Sequence, residues 1–278
     1  LILASGLFLM TFASIPEVSR RIRGLFYGWF IVGAGALVVF SSGPGQSYVF
    51  SVFIDSIISA TGLSRSGVSA LFMASTAVSA LMVSIVGRMA DRFGPRAILI
   101  VVGIAFAAAC FGMAAATNLV LLYMAFASLR ALGQGPLTIN ATLLVNQWFV
   151  SRRGLAIAIM GLGMVLSNAV LPPLARFLID HIGWREAYAS LGIMAMVLVV
   201  PTALLILRNR PEDIGLFPDG RPHPPLVEAR KFDAGPDQDR RVWSSLTFWL
   251  LAFPLATPSL ITTALMFHQT SIFVDRGL

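Results

Sequence analysis

Seven apolar stretches, each long enough to cross a bilayer as a helix, dominate this chain of 278 residues. A membrane helix takes roughly 20 mainly apolar residues. Such runs occupy residues 27–53, 67–87, 97–116, 119–147, 154–178, 185–207 and 245–272. Backbone inside hydrocarbon must satisfy its own hydrogen bonds, so these runs predict helices and an all-α membrane protein. The joints carry turn or charge signals: Thr117-Asn118 is a minimal turn, and His181-Ile182-Gly183-Trp184-Arg185 is a short interfacial loop. The longer runs leave room for tilt.

Charge gives the topology. Charged residues make up only 12 % of the chain against 57 % hydrophobic ones, where a soluble domain carries about 25 % charge. Arg20, Arg21, Arg23, the stretch 88–96, Arg152, Arg153 and the basic residues of 208–244 all fall on one side of the predicted topology. Only Arg65, Arg185 and Arg276 fall on the other. The positive-inside rule then places the N-terminus and the 208–244 loop in the cytoplasm, and the expected location is the cell inner (plasma) membrane. The same rule accounts for the net charge of +7 without an acidic partner. Basic residues are not interleaved with aromatics, which argues against nucleic acid. Cys110 is the single cysteine and lies in an apolar run, so neither a disulfide framework nor a metal cluster is expected. The first 15 residues are apolar but too short to span and lack a basic start, so residues 1–24 are read as a cytoplasmic leader.

The densest charge lies between the second and third runs, in Gly87-Arg88-Met89-Ala90-Asp91-Arg92-Phe93-Gly94-Pro95-Arg96. Its glycines, Gly87 and Gly94, suit a chain reversal in few residues. On the residues alone, Asp91 pairs with Arg88 or Arg92 at the membrane surface. The stretch resembles the loop between helices two and three of the major facilitator superfamily, G-x-x-x-D-[RK]-x-G-[RP]-[RK]; Gly87, Asp91, Arg92, Gly94, Pro95 and Arg96 all fit. The resemblance implies a gating loop in which Asp91 helps lock one access state by contacting the second half of the transporter.

An internal repeat fits that family. Trp29 matches Trp249, and Ser51-Val52-Phe53-Ile54-Asp55 matches Ser271-Ile272-Phe273-Val274-Asp275, both at an offset of 220 (249 − 29 and 271 − 51). Parallel six-helix repeats are what the two halves of such transporters look like. The expected organisation is a six-helix transmembrane bundle over 25–207, a cytoplasmic linker over 208–244 rich in Pro, Asp and Arg, and the first helix of the second half over 245–278. About five further helices are then absent, and the chain reads as truncated after its seventh helix.

Arg130 is the main candidate for chemistry. It lies 11 residues into the fourth run, about 17 Å along a helix and near the bilayer midplane. A charge there costs at least about 2.5 kcal/mol, so it should face a wet cavity or an anion. The bland reading is an arginine satisfied by backbone carbonyls at a helix interface. Gln134, Thr138, Thr142 and Asn146 follow it at steps of four, a polar stripe on one helix face. Arg130 with Gly135 resembles the family's R-x-x-x-x-G signature, with glycine and glutamine at 133–134 in swapped order. In the first run, Gly43-Pro44-Gly45 should weaken the helix and free a carbonyl for a ligand or hinge. Since helices one, four, seven and ten line the cavity in the resembled family, Gln46 and Tyr48 are candidate lining residues, with helix packing as the alternative. His268 sits at the repeat position of Tyr48 and could carry a coupling proton.

Two stretches are similar to the monocarboxylate and oxalate/formate antiporter branch. Trp148-Phe149-Val150-Ser151-Arg152-Arg153-Gly154-Leu155-Ala156 fits its aromatic-Phe-x-x-Arg-Arg-x-Leu-Ala pattern, and Tyr27-Gly28-Trp29 resembles its first-helix approach. Ala158 and Ser167 depart from that branch where it has glycines. Pro172-Pro173 stands in place of the Gly-Pro pair of drug/proton antiporters. Gly154, Ala158, Gly163 and Ser167 read as a packing seam, and Arg176 as a snorkelling residue paired with Asp180. The resemblance implies a secondary active transporter moving a small organic anion, a monocarboxylate or dicarboxylate, by proton symport or anion exchange. It implies no cofactor, metal or enzymatic activity. An exporter of a hydrophobic drug or metabolite, and a non-transporting membrane sensor, are the alternatives.

Overall fold

A computed structural model describes residues 26–220 and 245–275, with the side chains of the last helix described over only part of its length. The leader, residues 221–244 and the side chain of His268 lie outside the described residues. The helices are α1 (Gly28–Ser41), α2 (Ser47–Thr61), α3 (Arg65–Phe93), α4 (Pro95–Ala115), α5 (Leu119–Gly133), α6 (Pro136–Trp148), α7 (Arg153–Ile182), α8 (Trp184–Leu205) and α9 (Leu246–Asp275). Among the described residues there is no strand. Four helices (α3, α4, α7 and α8) are each long and apolar enough to cross a membrane alone.

The first and fourth expected spans are each a pair of shorter helices joined at a break. A 3₁₀ turn over Gly43–Gly45 separates α1 from α2. Gln134 and Gly135 separate α5 from α6, and Pro136 opens the second piece. Proline lacks the N–H that a continuing helix needs, and glycine is the poorest helix former after it. At the offset of 220, α9 carries Thr263-Ala264-Leu265 where the first span has Gly-Pro-Gly, and it runs on as one helix. The repeat in sequence is therefore not a repeat of the break.

The turn between the second and third spans is shorter than expected. Helix α3 continues to Phe93 and α4 starts at Pro95, leaving Gly94 alone at φ 82° to reverse the chain. Gly87 is helical, not part of the reversal. Its R-M-A-D-R-F surroundings hold good helix formers, and a lone glycine costs only about 1 kcal/mol.

Successive spans run up and down, so the α3–α4, α6–α7 and α8-terminal junctions gather at one end. That end carries Arg88, Arg92, Arg96, Arg152, Arg153, Arg208 and Arg210, and is called the basic end below. Tight aromatic contacts tie the bundle together: Phe50 lies 4.1 Å from Phe126, and Phe53 lies 4.0 Å from Tyr188, centroid to centroid. The buried face of α7 reads Ala156, Met160, Gly163, Ser167, Leu171 and Ala175. Gly154 and Ala158, expected on this seam, are exposed. Helix α9 packs against α2.

Candidate functional site

The two broken spans cross at their breaks. A Cβ on Gly45 would meet the Leu129 carbonyl oxygen at 2.7 Å and the Gly133 Cα at 3.1 Å, so only glycine permits this approach of backbones. Each break leaves a carbonyl that the helix does not use, and each such group is costly in hydrocarbon. The partner span supplies the donor. Arg130 Nη1 donates to the Gly45 carbonyl at 3.1 Å, and Gln46 Nε2 donates to the Gly133 carbonyl at 3.3 Å. The two bonds brace the crossing reciprocally.

Arg130 is 0 % exposed. Its remaining partners come from α2 and α3: Nη1 lies 3.5 Å from Ser47 Oγ, and Nη2 donates to Thr76 Oγ1 at 3.1 Å. The Phe72 ring lies under the guanidinium, 4.3 Å from Cζ to centroid. Ser79 Oγ donates to the Arg130 carbonyl at 3.2 Å. Phe72, Thr76 and Ser79 fall at steps of four and three, one face of α3. Nε has no partner. Among the described residues the ion pairs are Arg65–Asp55 and Arg176–Asp180, so no carboxylate neutralises Arg130.

The candidates from the sequence separate into three places. Arg130 and Gln46 meet at the crossing. Tyr48 faces α7, where its hydroxyl donates to Ser167 Oγ at 2.8 Å, which in turn donates to the Phe40 carbonyl. Gln134 is exposed, and Thr138 hydroxyl turns back onto the Gln134 and Gly135 carbonyls. The polar stripe of steps of four is thus broken at the α5–α6 junction: Arg130 turns inward and Gln134 outward, because the helix does not continue between them. His268 lies on α9, its side chain outside the described residues. Phe72, Thr76 and Ser79 were not singled out from the sequence. The available signal was a helical face of polar residues in the second run.

The residues whose spacing resembles a gating loop sit at the basic end. Gly94 and Arg96 pack into the bundle: Arg96 N donates to Asn209 Oδ1 at 3.0 Å, and its Nε and Nη2 donate to the carbonyls of Ala203 and Leu204 at 3.0 and 2.7 Å. Asp91 and Arg92 are exposed, and Arg92 lies over the Phe93 ring. The surface pairing of Asp91 with Arg88 or Arg92 is not formed.

A bundle of apolar helices with two broken spans around a fully buried arginine defines an all-α multi-pass membrane protein. The profile of the Major Facilitator Superfamily matches residues 35–274, and the chain belongs to that family. It is 28 % identical over 191 residues to monocarboxylate transporter 13 of Bos taurus, covering 67 % of this chain and 44 % of the relative. It is 30 % identical over 136 residues to a probable sulfoacetate transporter of Cupriavidus necator, covering 49 % and 31 %. It is 24 % identical over 203 residues to a riboflavin transporter of Trypanosoma brucei brucei, covering 71 % and 37 %. The chain spans less than half the length of these relatives. Within the superfamily it resembles the monocarboxylate branch.

Proposed function

We propose that this protein is a secondary active transporter that moves a small organic anion, a monocarboxylate or dicarboxylate, by alternating access, with proton symport or anion exchange as the coupling. The observation that carries the reading is Arg130: fully buried, with no carboxylate partner among the described residues and with Nε unused. Such a charge is expensive in a membrane unless an anion compensates it. The names of two relatives, a monocarboxylate and a sulfoacetate transporter, support an anionic cargo. In this reading residues 25–207 form the six-helix half, 208–244 link it to the second half, and α9 opens that half. The basic end faces the cytoplasm at the plasma membrane, by the arginine bias. Asp91 and Arg92, exposed beside Gly94, meet the second half as a gate in this reading. His268 carries the coupling proton if symport operates.

The riboflavin transporter among the relatives favours one rival, a larger and less charged cargo. Uptake of radiolabelled lactate, pyruvate and oxalate into proteoliposomes, measured beside riboflavin, separates the two. Organic-anion uptake that falls at least tenfold in Arg130→Gln is expected. Uptake unchanged by that substitution removes Arg130 from the site, and uptake of riboflavin alone removes the anion reading.

A further inference from the structure

The guanidinium of Arg130 has two usable edges, and the structure treats them differently. Nη1 is committed to the first span, through the Gly45 carbonyl at 3.1 Å and Ser47 Oγ at 3.5 Å. Nε–H and one N–H of Nη2 point the same way and form the side-on edge that takes a carboxylate with two parallel bonds. Nη2 meets one neutral hydroxyl, that of Thr76, and Nε meets nothing. Thr76 Oγ1 already gives its own hydrogen to the Phe72 carbonyl at 2.9 Å, so it serves Arg130 only as an acceptor. A neutral hydroxyl on one donor with an orphan on the other is half of a carboxylate's complement.

The elements around this edge differ in how firmly they are held. Spans one and four are braced by two reciprocal hydrogen bonds over a glycine-to-glycine approach that allows no further closing. Helix α3 buries only one stripe of its 29 residues, Val68, Phe72, Ser75, Ser79, Val86 and Ala90. Thr76 flanks that stripe and is half-buried. No donor or acceptor of the Gly45 and Gly133 bonds lies on α3, so a displacement of α3 breaks the Thr76 bond to Arg130 and the Ser79 bond to its carbonyl and spares those two.

We propose that the Nε/Nη2 edge of Arg130 is the docking edge for a carboxylate, and that Thr76 occupies that edge until the anion displaces it as α3 draws aside. The proposal rests on the reading of Arg130 as an anion site and adds the competitor, the orientation and the moving helix. The hydroxyl of Thr76 then opposes binding, whereas a hydroxyl that ligated the cargo would promote it.

The test titrates oxalate and pyruvate into the purified protein in nanodiscs by calorimetry. The set is wild type, Thr76→Val, Thr76→Ser, Thr76→Asp, Ser128→Ala and Arg130→Gln, with thermal unfolding recorded for each. Loss of one competing neutral hydrogen bond should tighten binding in Thr76→Val by about three- to tenfold. Thr76→Ser should match wild type, and Ser128→Ala, at an exposed site away from Arg130, should stay within about twofold. Thr76→Asp fills the edge with an internal carboxylate and should abolish binding while remaining folded. Wild type that binds neither anion overturns the transport reading and this proposal with it. Wild type that binds, with Thr76→Val equal or weaker, overturns only the edge assignment. If Thr76→Val does not fold, Thr76→Asp decides: binding retained there overturns the proposal.

Discussion

Asp219 stands at φ 60°, in the left-handed region that an aspartate tolerates better than most residues. The conformation places its carboxylate on the approach to α7. It accepts hydrogen bonds from the backbone N–H groups of Val150, Ser151 and Arg152 and from the Ser151 hydroxyl. Partial burial alone would raise its pKa, but these bonds outweigh it and hold the carboxyl below its ordinary value of 3.8. A group whose folded pKa is depressed contributes stability above the unfolded value and loses it as pH falls through the folded one. Protection of amides 150–152 from hydrogen exchange should therefore persist down to about pH 4 and fall below it. In Asp219→Asn the protection should be weaker at neutral pH and nearly flat across the same window; a wild-type acid step kept in the variant assigns the effect to another group. Residues of this kind were only partly legible in the sequence. Gly43-Pro44-Gly45 announced a freed carbonyl, because proline and glycine leave a signature in any helix. Thr76 announced no more than a place on a polar helix face: its hydroxyl bonds the carbonyl four residues back, as those of Ser41, Ser75 and Ser128 do, and its second role as acceptor for Arg130 has no mark of its own in the chain.

At the scale of elements, small residues show where helices meet, but only the phase of the helix says which small residues matter. From Ala158 to Gly163 is five residues, about 140° of rotation, so the two cannot share a face. The structure keeps Gly163 and Ser167 on the α1–α7 contact and leaves Gly154 and Ala158 outside it. A Cβ on Gly163 would run into the Ala36 carbonyl oxygen and lie within 3 Å of two more backbone atoms of Ala36. Backbone cannot swing aside as a side-chain tip can. Gly163→Ala should push α1 from α7 and cost about 1–3 kcal/mol. Gly161, two residues away, would place its Cβ in open space. There Gly161→Ala should leave packing alone and gain about 0.5–1 kcal/mol from helix propensity. Thermal unfolding of the two variants in the same detergent should move in opposite directions, and equal shifts would mean that α1 and α7 do not pack through Gly163. The break at 43–45 was read from Pro44, whereas the one at Gln134-Gly135 carried a like signal in Gly133, Gly135 and Pro136 that was overlooked because the steps of four across it looked continuous.

For the whole molecule, the carboxyl end of α8 acts as a junction at the basic end. A helix leaves its last carbonyls without intrahelical partners, and here other spans supply the donors. Arg96 of α4 bonds the carbonyls of Ala203 and Leu204; Tyr27, ahead of α1, bonds that of Ile206 at 2.8 Å; and Trp148 of α6 bonds that of Arg208 at 3.0 Å. Four spans are thus tied at one helix end, and the cation of Arg96 meets the negative pole of the α8 dipole. The charged stretch that marks the superfamily in sequence therefore splits in two. Gly94 and Arg96 hold the bundle together, while Asp91 and Arg92 remain exposed on its surface. Sequence placed all of them in one loop because a motif carries spacing without direction, and the direction comes from α3 running on to Phe93. The division has an energetic consequence. Arg96→Ala removes two charge-assisted bonds and should cost about 2 kcal/mol, whereas Arg92→Ala, at an exposed site, should stay within about 0.5 kcal/mol. Hydrogen exchange in 93–97 and 203–209 should rise together in Arg96→Ala, since one side chain holds both segments. Arg96→Lys should recover only part of the protection, because one ammonium cannot reproduce the guanidinium's fixed fork across two carbonyls. Equal losses in Arg92→Ala and Arg96→Ala would mean that the motif acts as one surface and that α8 is held by something other than Arg96.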